Sequence, residues 1–394
     1  MNANTPDDDT QSWILYVMEK EYAEARWELP GSWWSYEAFV EAVRHLEMTS
    51  SPGIPYMKEA PTIGEWLGWD GLECDRFKLE RLWYEVQQVF DDDFRLRLRV
   101  FIKQEPHKLA KVQEGRWRLI LASPLNVQVA WHMCFSYMND IEIENAYFLP
   151  SQQGLNLAGG MWKLYYRQWC QNKQTCGMDK SAWDWTAPWW VFLLDLEFRK
   201  RLCRQGDVDG WLRRAEVLYR QMFEHPILVL SDGSEYEQLY PGIMKSGCVN
   251  TISTNSHGQC FVHCAVAKDN DLPVLPLPKC VGDDTLMVET QIPNNVFDMY
   301  SIYGVQVKSV SSTLEFVGRE FTEAGPMPMY VGKHVAKAHY VDDVNLACYL
   351  DSMAREYCHS ENYFRVWQAL AQRLDIDLPF SREGYLYWYD YQGW

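Results

Sequence analysis

Lys279-Cys280-Val281-Gly282-Asp283-Asp284-Thr285-Leu286-Met287-Val288 places two adjacent carboxylates between two apolar, β-prone runs, with a glycine at the bend. Inside a strand, neighbouring side chains point to opposite faces, so one of the two charges would be buried. A tight hairpin turn removes that conflict, because both acids can stay at the rim. Taken alone, Gly-Asp-Asp is also a common surface turn. Its meaning depends on what accompanies it.

Two upstream segments do. In Cys176-Gly177-Met178-Asp179-Lys180-Ser181-Ala182-Trp183-Asp184 a short apolar approach ends in one carboxylate, and a second follows five positions later. A strand ending at Asp179 and turning into a helix near Pro188 would leave both acids at one rim. In Ser246-Gly247-Cys248-Val249-Asn250-Thr251-Ile252-Ser253-Thr254-Asn255, a glycine precedes a helical stretch in which Thr251 and Asn255 share a face. Such residues also cap helices. Together, Asp179, Asp283 and Asp284 could hold two divalent cations, which require hard oxygen ligands. A metal pair of that kind stabilises both the attacking and the leaving oxygen of a phosphoryl displacement. Asp184 and Asn255 offer an acceptor and a mixed donor–acceptor suited to a ribose 2′-hydroxyl.

The composition sets bounds on this reading. The chain has 394 residues, 47% of them apolar, which suits a soluble globular body with a large core. No stretch approaches the ~18 to 20 uninterrupted apolar residues of a membrane span. The acidic start, MNANTPDDDTQSW, lacks the basic and apolar pattern of a secretory signal, and its first ten residues are expected to be disordered. Eleven scattered cysteines suit a reducing compartment. His257, Cys260, His263 and Cys264 fall at roughly helical spacing and could face a zinc ion, but their intervals miss the usual finger spacing, and packing in a helix accounts for them as well. The net charge of −17 argues against a surface that binds nucleic acid all over. Residues 95–118, however, carry eight basic side chains against Glu105 and Glu114, a local +6 that fits a channel. The alternative for Arg95, Arg97 and Arg99 is a solvated strand face.

Periodicity predicts helices through Phe39, Val43 and Leu46, from Leu79 to Phe90, from Pro188 through WWVFLLDLEFRKRL, and over Trp211–Phe223. PILVL and EYEQLY flank Ser231-Asp232-Gly233-Ser234 as a hairpin. The last sixty residues read as helices before an aromatic tail, YLYWYDYQGW. Most of the 19 tryptophans are expected in the core rather than as base-stacking platforms.

The three segments, in this order and at these intervals, resemble the palm motifs of positive-strand RNA virus RNA-dependent RNA polymerases. Ser51-Pro52-Gly53-Ile54-Pro55 resembles the template-entry motif, and FIKQEPHKLAKVQEGRWRLI (101–120) the basic fingers motif. Gly304-Val305-Gln306-Val307-Lys308 resembles the general-acid segment, and LEFVGREF (314–321) the primer grip. The wording of KQEPHK and RWRLI is most similar to the sobemovirus and luteovirus-like group.

The resemblance implies an α+β right-hand polymerase with fingers, a palm built on an antiparallel sheet and the GDD hairpin, and a helical thumb. It divides the chain into an N-terminal region and fingers (1–178), the first palm motif (179–185), a fingers insertion (186–240), palm (241–335) and thumb (336–394). It implies template-directed RNA synthesis with two Mg²⁺ or Mn²⁺ ions on Asp179, Asp283 and Asp284, and proton donation by Lys308. Asp184, Ser246, Gly247, Thr251 and Asn255 would meet the nucleotide's ribose, Lys103, Arg116 and Arg118 its phosphates, and Ser51, Gly53, Lys108 and Lys111 the template. Partners would be single-stranded RNA template, nascent RNA and NTPs. The resemblance also admits a protein primer and other viral replication proteins, in replication complexes of the host cytoplasm. A reverse transcriptase shares the palm and metals, and a catalytically inactive palm could bind RNA. Asp184 with Asn255 speaks against the first and the intact acids against the second. No GxxxxGK loop, GxGxxG after a strand or GxSxG elbow supports another nucleotide enzyme.

Overall fold

Side-chain caps start most of the N-terminal helices. The computed structural model describes residues 3–391. Asp7 accepts from Thr10 N at 2.8 Å to open α1 (Asp8–Glu21). After the short strand β1 (Trp27–Glu28), Ser35, Thr62 and Asp75 do the same for α2 (Tyr36–Arg44), α3 (Ile63–Leu67) and α4 (Arg76–Gln88). Residues 3–10, expected to be disordered, are ordered instead: besides the Asp7 cap, Asn4 N donates to Ile302 O at 2.8 Å.

Beyond them come β2 (Arg97–Ile102), α5 (Leu109–Gln113), β3 (Leu119–Ala122), α6 (Leu125–Glu144), α7 (Met161–Gln171), β4 (Gln174–Lys180) and α8 (Trp183–Thr186). The helix predicted after Pro188 is α9 (Trp189–Leu202), followed by β5 (Cys203–Gln205), α10 (Val208–Phe223), β6 (Ile227–Val229) and β7 (Glu235–Glu237). The predicted β6–β7 hairpin forms, and β6 joins β2 in parallel, giving a sheet of order β3-β2-β6-β7. Helix α11 (Thr251–Asp269) then leads into β8 (Lys279–Val281), β9 (Asp284–Val288), α12 (Val296–Ile302) and β10 (Val307–Ser311). Strands β10-β4-β9-β8 form an antiparallel sheet whose centre is the Asp179 strand paired with the second strand of the GDD hairpin. A three-stranded meander of β11 (Glu315–Phe316), β12 (Arg319–Thr322) and β13 (Gly325–Pro328) precedes α13 (Val331–Ala338), α14 (Asp343–Glu356), α15 (Glu361–Arg373) and α16 (Arg382–Asp390). The expected boundaries at 178/179 and 335/336 fall inside β4 and α13, each a continuous hydrogen-bonded unit. Residues 385–390 of the aromatic tail end α16: Tyr385 and Tyr389 are buried, and Trp162 Nε1 donates to Asp390 Oδ1 at 2.7 Å, while 392–394 lie outside the described residues. Among the described residues no helix is long and apolar enough to cross a membrane.

The largest hydrophobic cluster joins α1, α2, α6, α9, α10 and α11, with Trp27, Trp131, Trp183 and Trp211 fully buried. Within it sits a buried polar network. Asp195 on α9 accepts from Arg199 Nε at 3.0 Å, Tyr219 OH at 2.6 Å and Thr254 Oγ1 at 2.8 Å. His257 on α11 lies between Asp195 Oδ1 at 2.6 Å and Glu142 Oε1 on α6 at 2.7 Å. Arg199 reaches on to Asn139 at 3.1 Å and Ser253 at 2.7 Å. Two acids thus face two bases, which is the condition for burying charge without leaving it bare. The zinc alternative dissolves here, because His257, Cys260 and His263 turn to separate partners. His263 Nε2 bonds Val274 O at 2.9 Å, and the Cys260 thiol packs 4.0 Å from Cys280 Sγ.

Burial disfavours the His257 imidazolium, but the two carboxylates outweigh it and raise its pKa to about 9. A raised histidine contributes stability that is complete below its unfolded pKa of ~6.5 and is lost as pH climbs through the folded value. The stability difference between wild type and His257→Gln should therefore be largest near pH 6 and shrink toward pH 9. Urea denaturation across that range checks it, and a constant difference would mean that His257 is buried neutral.

Candidate active site at the rim of the central sheet

Strand alternation separates Asp179 from Lys180. Asp179 turns outward, with its side chain 44% exposed, while Lys180 turns into the sheet and is buried. Lys180 Nζ bonds Thr285 Oγ1 at 2.5 Å and approaches the Asp283 carbonyl at 3.5 Å, so it fastens the end of β4 to the neighbouring hairpin. Burial pushes its pKa down to about 8 against the pull of the surrounding acids. In the hairpin, Val281 pairs with Asp284 around a two-residue turn. Gly282 takes φ +65°, the left-handed conformation required at the first turn position, and its N–H donates to Ser256 Oγ of α11 at 3.0 Å. Asp283 and Asp284 stay half-buried at the rim, as the hairpin reading required.

After Lys180 the chain turns through Ala182 at φ +52° into α8, which carries Asp184. Asn255 Nδ2 donates to Asp184 Oδ1 at 3.1 Å, and Asn255 Oδ1 is buried with no partner. Burial, more than the nearby Asp283, raises the Asp184 carboxyl to about 6. Asp284 is also raised to about 6, by burial and then by Asp283 and Asp179. Asp283 is raised mainly by burial, with Lys180 and Arg118 working the other way. On the opposite edge, Lys308 falls where the β10–β4 register shifts, an irregularity that re-aims a side chain. Its ammonium contacts Asp179 Oδ2, and that bond raises the lysine's pKa. Among the described residues no three His, Cys, Asp or Glu side chains converge tightly enough to hold an ion as they stand.

The remaining expected residues divide. Lys103 and Arg118 flank the β2–β3 excursion, joined by Lys103 N to Arg118 O at 2.8 Å, and Arg118 lies close enough to lower the Asp184 and Asp283 carboxyls. Arg116 is not drawn in: its guanidinium pairs with Glu114 on the exposed loop. Arg97 pairs with Glu235 at 3.1 Å and alternates with buried Leu96 and Leu98, so the first part of the basic stripe is a strand face. Lys108 and Lys111 are exposed at α5. Ser51 Oγ accepts from Gly53 N at 3.4 Å, and Gly53 packs closely on the Ser123 carbonyl. Ser246 Oγ accepts from Leu121 N at 3.3 Å and faces Leu119 O at 3.4 Å. The Thr251 hydroxyl lies 2.6 Å from Cys248 O and 2.9 Å from Lys245 O. The Ser246 hydroxyl proton therefore serves the backbone of β3, and that of Thr251 the backbone of its own loop.

Lys180, Lys245 and Ser256 also hold the site together, although none of them is among the residues expected from the sequence. Lys245 is fully buried, bonding Ile243 O at 2.7 Å and Gln238 Oε1 at 2.5 Å, and burial lowers its pKa to about 7. For Lys180 the signal was present: position 180 shares the inward face with Cys176 and Met178.

An antiparallel sheet with acids on adjacent strands, backed by helices, is the architecture of a right-hand polymerase palm. The whole chain has that fold: it superposes on the Sicinivirus 3Dpol RNA dependent RNA polymerase with TM-score 0.77 and 18% sequence identity, over 98% of this chain and 86% of that one. The chain belongs to the viral RNA-dependent RNA polymerase family, whose model matches residues 35–338. Protein P1-P2 of Potato leafroll virus is 28% identical over 310 residues, 71% of this chain and 28% of its own length. Replicase polyprotein P2AB of Southern bean mosaic virus is 31% identical over 280 residues, 66% of this chain and 28% of its own length. The chain thus spans little more than a quarter of either relative. Both fall in the group that the wording of the basic fingers motif implied.

Gly247 has a packing reason to be glycine, since a Cβ there would stand 2.3 Å from the Leu121 carbonyl oxygen. Gly247→Ala should force β3 from the loop and destabilise the protein by ~1–3 kcal/mol, read as a lowered denaturation midpoint. If the variant instead kept its midpoint and lost only nucleotide affinity, the glycine would serve the ligand directly.

Proposed function

We propose that the chain catalyses template-directed RNA synthesis, joining the 3′-hydroxyl of a growing RNA to the α-phosphate of an NTP and releasing pyrophosphate. The observation that carries this reading is the grouping of Asp179 and Asp284 on adjacent strands, with Asp283 in the turn beside them, next to the bonded Asp184–Asn255 pair. Family membership supports it. The acids fit divalent cations: their oxygens are hard donors, and the burial and the repulsion from Asp283 and Asp179 that raise Asp284 are what a cation would offset. Asp179, Asp283 and Asp284 would hold two Mg²⁺ or Mn²⁺ ions, whose charge stabilises the oxygens of the displacement.

The rest is positioning and charge. Lys103 and Arg118 bind the triphosphate, with RNA template and NTPs as the partners. Lys308 protonates the leaving pyrophosphate, and its contact with Asp179 supports this by keeping the ammonium charged beside the acids. Asp184 and Asn255 read the ribose. The unpaired Asn255 Oδ1, buried beside a carboxylate, is an acceptor that a 2′-hydroxyl can satisfy. Ser246, Gly247 and Thr251 shape the loop that presents them.

Asp179→Asn and Asp283→Asn should each abolish nucleotide incorporation on a primed RNA template and leave RNA affinity nearly intact, since affinity comes from phosphate contacts elsewhere. Both should also erase the rise in Tm that Mg²⁺ gives the wild type through binding to the folded state. Retention of more than a few per cent of activity would remove that residue from the metal site. Sugar choice tests the other half. Asn255→Ala should cut kcat/KM for ATP far more than for dATP, shrinking discrimination by about 1–3 kcal/mol. An unchanged ratio with both rates lowered would make the pair a structural brace. A wild type that prefers dATP would favour a reverse transcriptase.

A further inference from the structure

Glu105 occupies the point where the triphosphate-binding cations meet. Its side chain is 14% exposed, and Oε1 accepts from Arg118 at 2.6 Å. Oε2 lies 3.6 Å from Lys103 Nζ and 3.2 Å from Lys333 Nζ. Lys333 comes from α13, 228 residues further along the chain. Burial alone would push the Glu105 carboxyl up, but the bonds from Lys333 and Arg118 and the surrounding charge outweigh it and hold it below the usual range. An ionised carboxylate therefore engages the N–H donors that a phosphate oxygen would use, and both anions favour the same charge-assisted bonds.

We propose that Glu105 is a built-in competitor for the nucleotide's triphosphate, holding Lys103 and Arg118 until an NTP displaces it onto Lys333. This rests on the assignment of Lys103 and Arg118 to the triphosphate. Without an anion, three cations would crowd one another. With Glu105 present they stay ordered, and a ligand must bring enough negative charge to take two of them. Lys333 then keeps the displaced carboxylate from being left half-buried and unpaired. Glu105 is a specificity-determining residue in this scheme rather than a catalytic one.

The test uses the full chain on a primed RNA template, with KM and kcat for ATP and inhibition constants for inorganic tripolyphosphate and for adenosine. In Glu105→Gln, KM for ATP and Ki for tripolyphosphate should fall together by about three- to tenfold, the scale of one partly exposed charge interaction. The adenosine Ki should not move. Glu105→Asp, which keeps the charge, should stay close to wild type in all of them. Lys333→Met should raise KM for ATP in the wild-type background and leave it unchanged in Glu105→Gln, the signature of coupled residues. A KM that is unchanged or higher in Glu105→Gln, while Lys103→Met and Arg118→Met raise it, overturns the inference and leaves the triphosphate assignment standing. A Lys333→Met effect of equal size in both backgrounds also overturns it, since Lys333 would then bind phosphate itself. If Lys103→Met and Arg118→Met change neither constant, the assignment falls and takes the inference with it.

Discussion

The clamp of His257 between Glu142 and Asp195 is the contact on which the geometry of the site depends. It joins α6, α9 and α11 through bonds of 2.7 and 2.6 Å, and Tyr219 brings in α10. A helix residue held at both ring nitrogens cannot rotate, so the register of α11 is set at that point. The two preceding residues inherit the setting. Successive helix positions point about 100° apart, which directs Ser256 to the Gly282 amide and Asn255 to Asp184. One buried charge network thus orients both the carboxylate turn and the side chain assigned to the ribose. Its buried groups are those that would lose most if a partner were removed, because an unpaired charge in this core has no solvent to turn to.

Around the acids, charge is arranged on two sides of the sheet. Lys180 compensates from within, locked to Thr285, and Lys308 from the open rim, on Asp179. The inner lysine is structural, since it bridges β4 and the hairpin whatever occupies the rim. The outer one is 62% exposed and free to leave when another cation takes its place. The same economy appears in the basic excursion between β2 and β3. Of the eight cations in residues 95–118, Arg97 and Arg116 are engaged by acids away from the site, while Lys103 and Arg118 converge on Glu105. A local +6 in a chain of net −17 is therefore a small focus rather than a continuous stripe.

Much of this was legible in the sequence because the signals were local. Adjacent acids after a glycine between two apolar runs can satisfy their hydration only in a turn, and the turn forms. The period of Phe39 and Val43, the proline before Trp189 and the residues 231–234 each specify an element from a few neighbours, and each element is found. The intervals between the acids were equally readable, since the order of motifs is a property of the chain. Two local signals misled. The polar residues 3–10 look unable to order themselves, yet a cap and one bond to Ile302 suffice. The aromatic segment reads as a tail beyond the last helix, but Tyr385 and Tyr389 share one face of α16 and find a core supplied by other helices.

The sequence by itself determined the elements, the order of the acids along them and the family, because these depend on short-range sterics and on spacing. Only the tertiary structure decided which charges neutralise which. Asp195 with Arg199 could be guessed as neighbours on one helix face, but their closure by His257 and Glu142 spans 115 residues between the last two. Lys180 and Lys245 look like surface lysines until packing removes their water and leaves them only carbonyls, a hydroxyl and an amide. Glu105 appears in the sequence as a stray acid in a basic motif, and only the arrival of Lys333 from α13 makes it the centre of a cluster. Coulomb energy depends on separation in space and on solvent exposure, and neither is a function of separation along the chain.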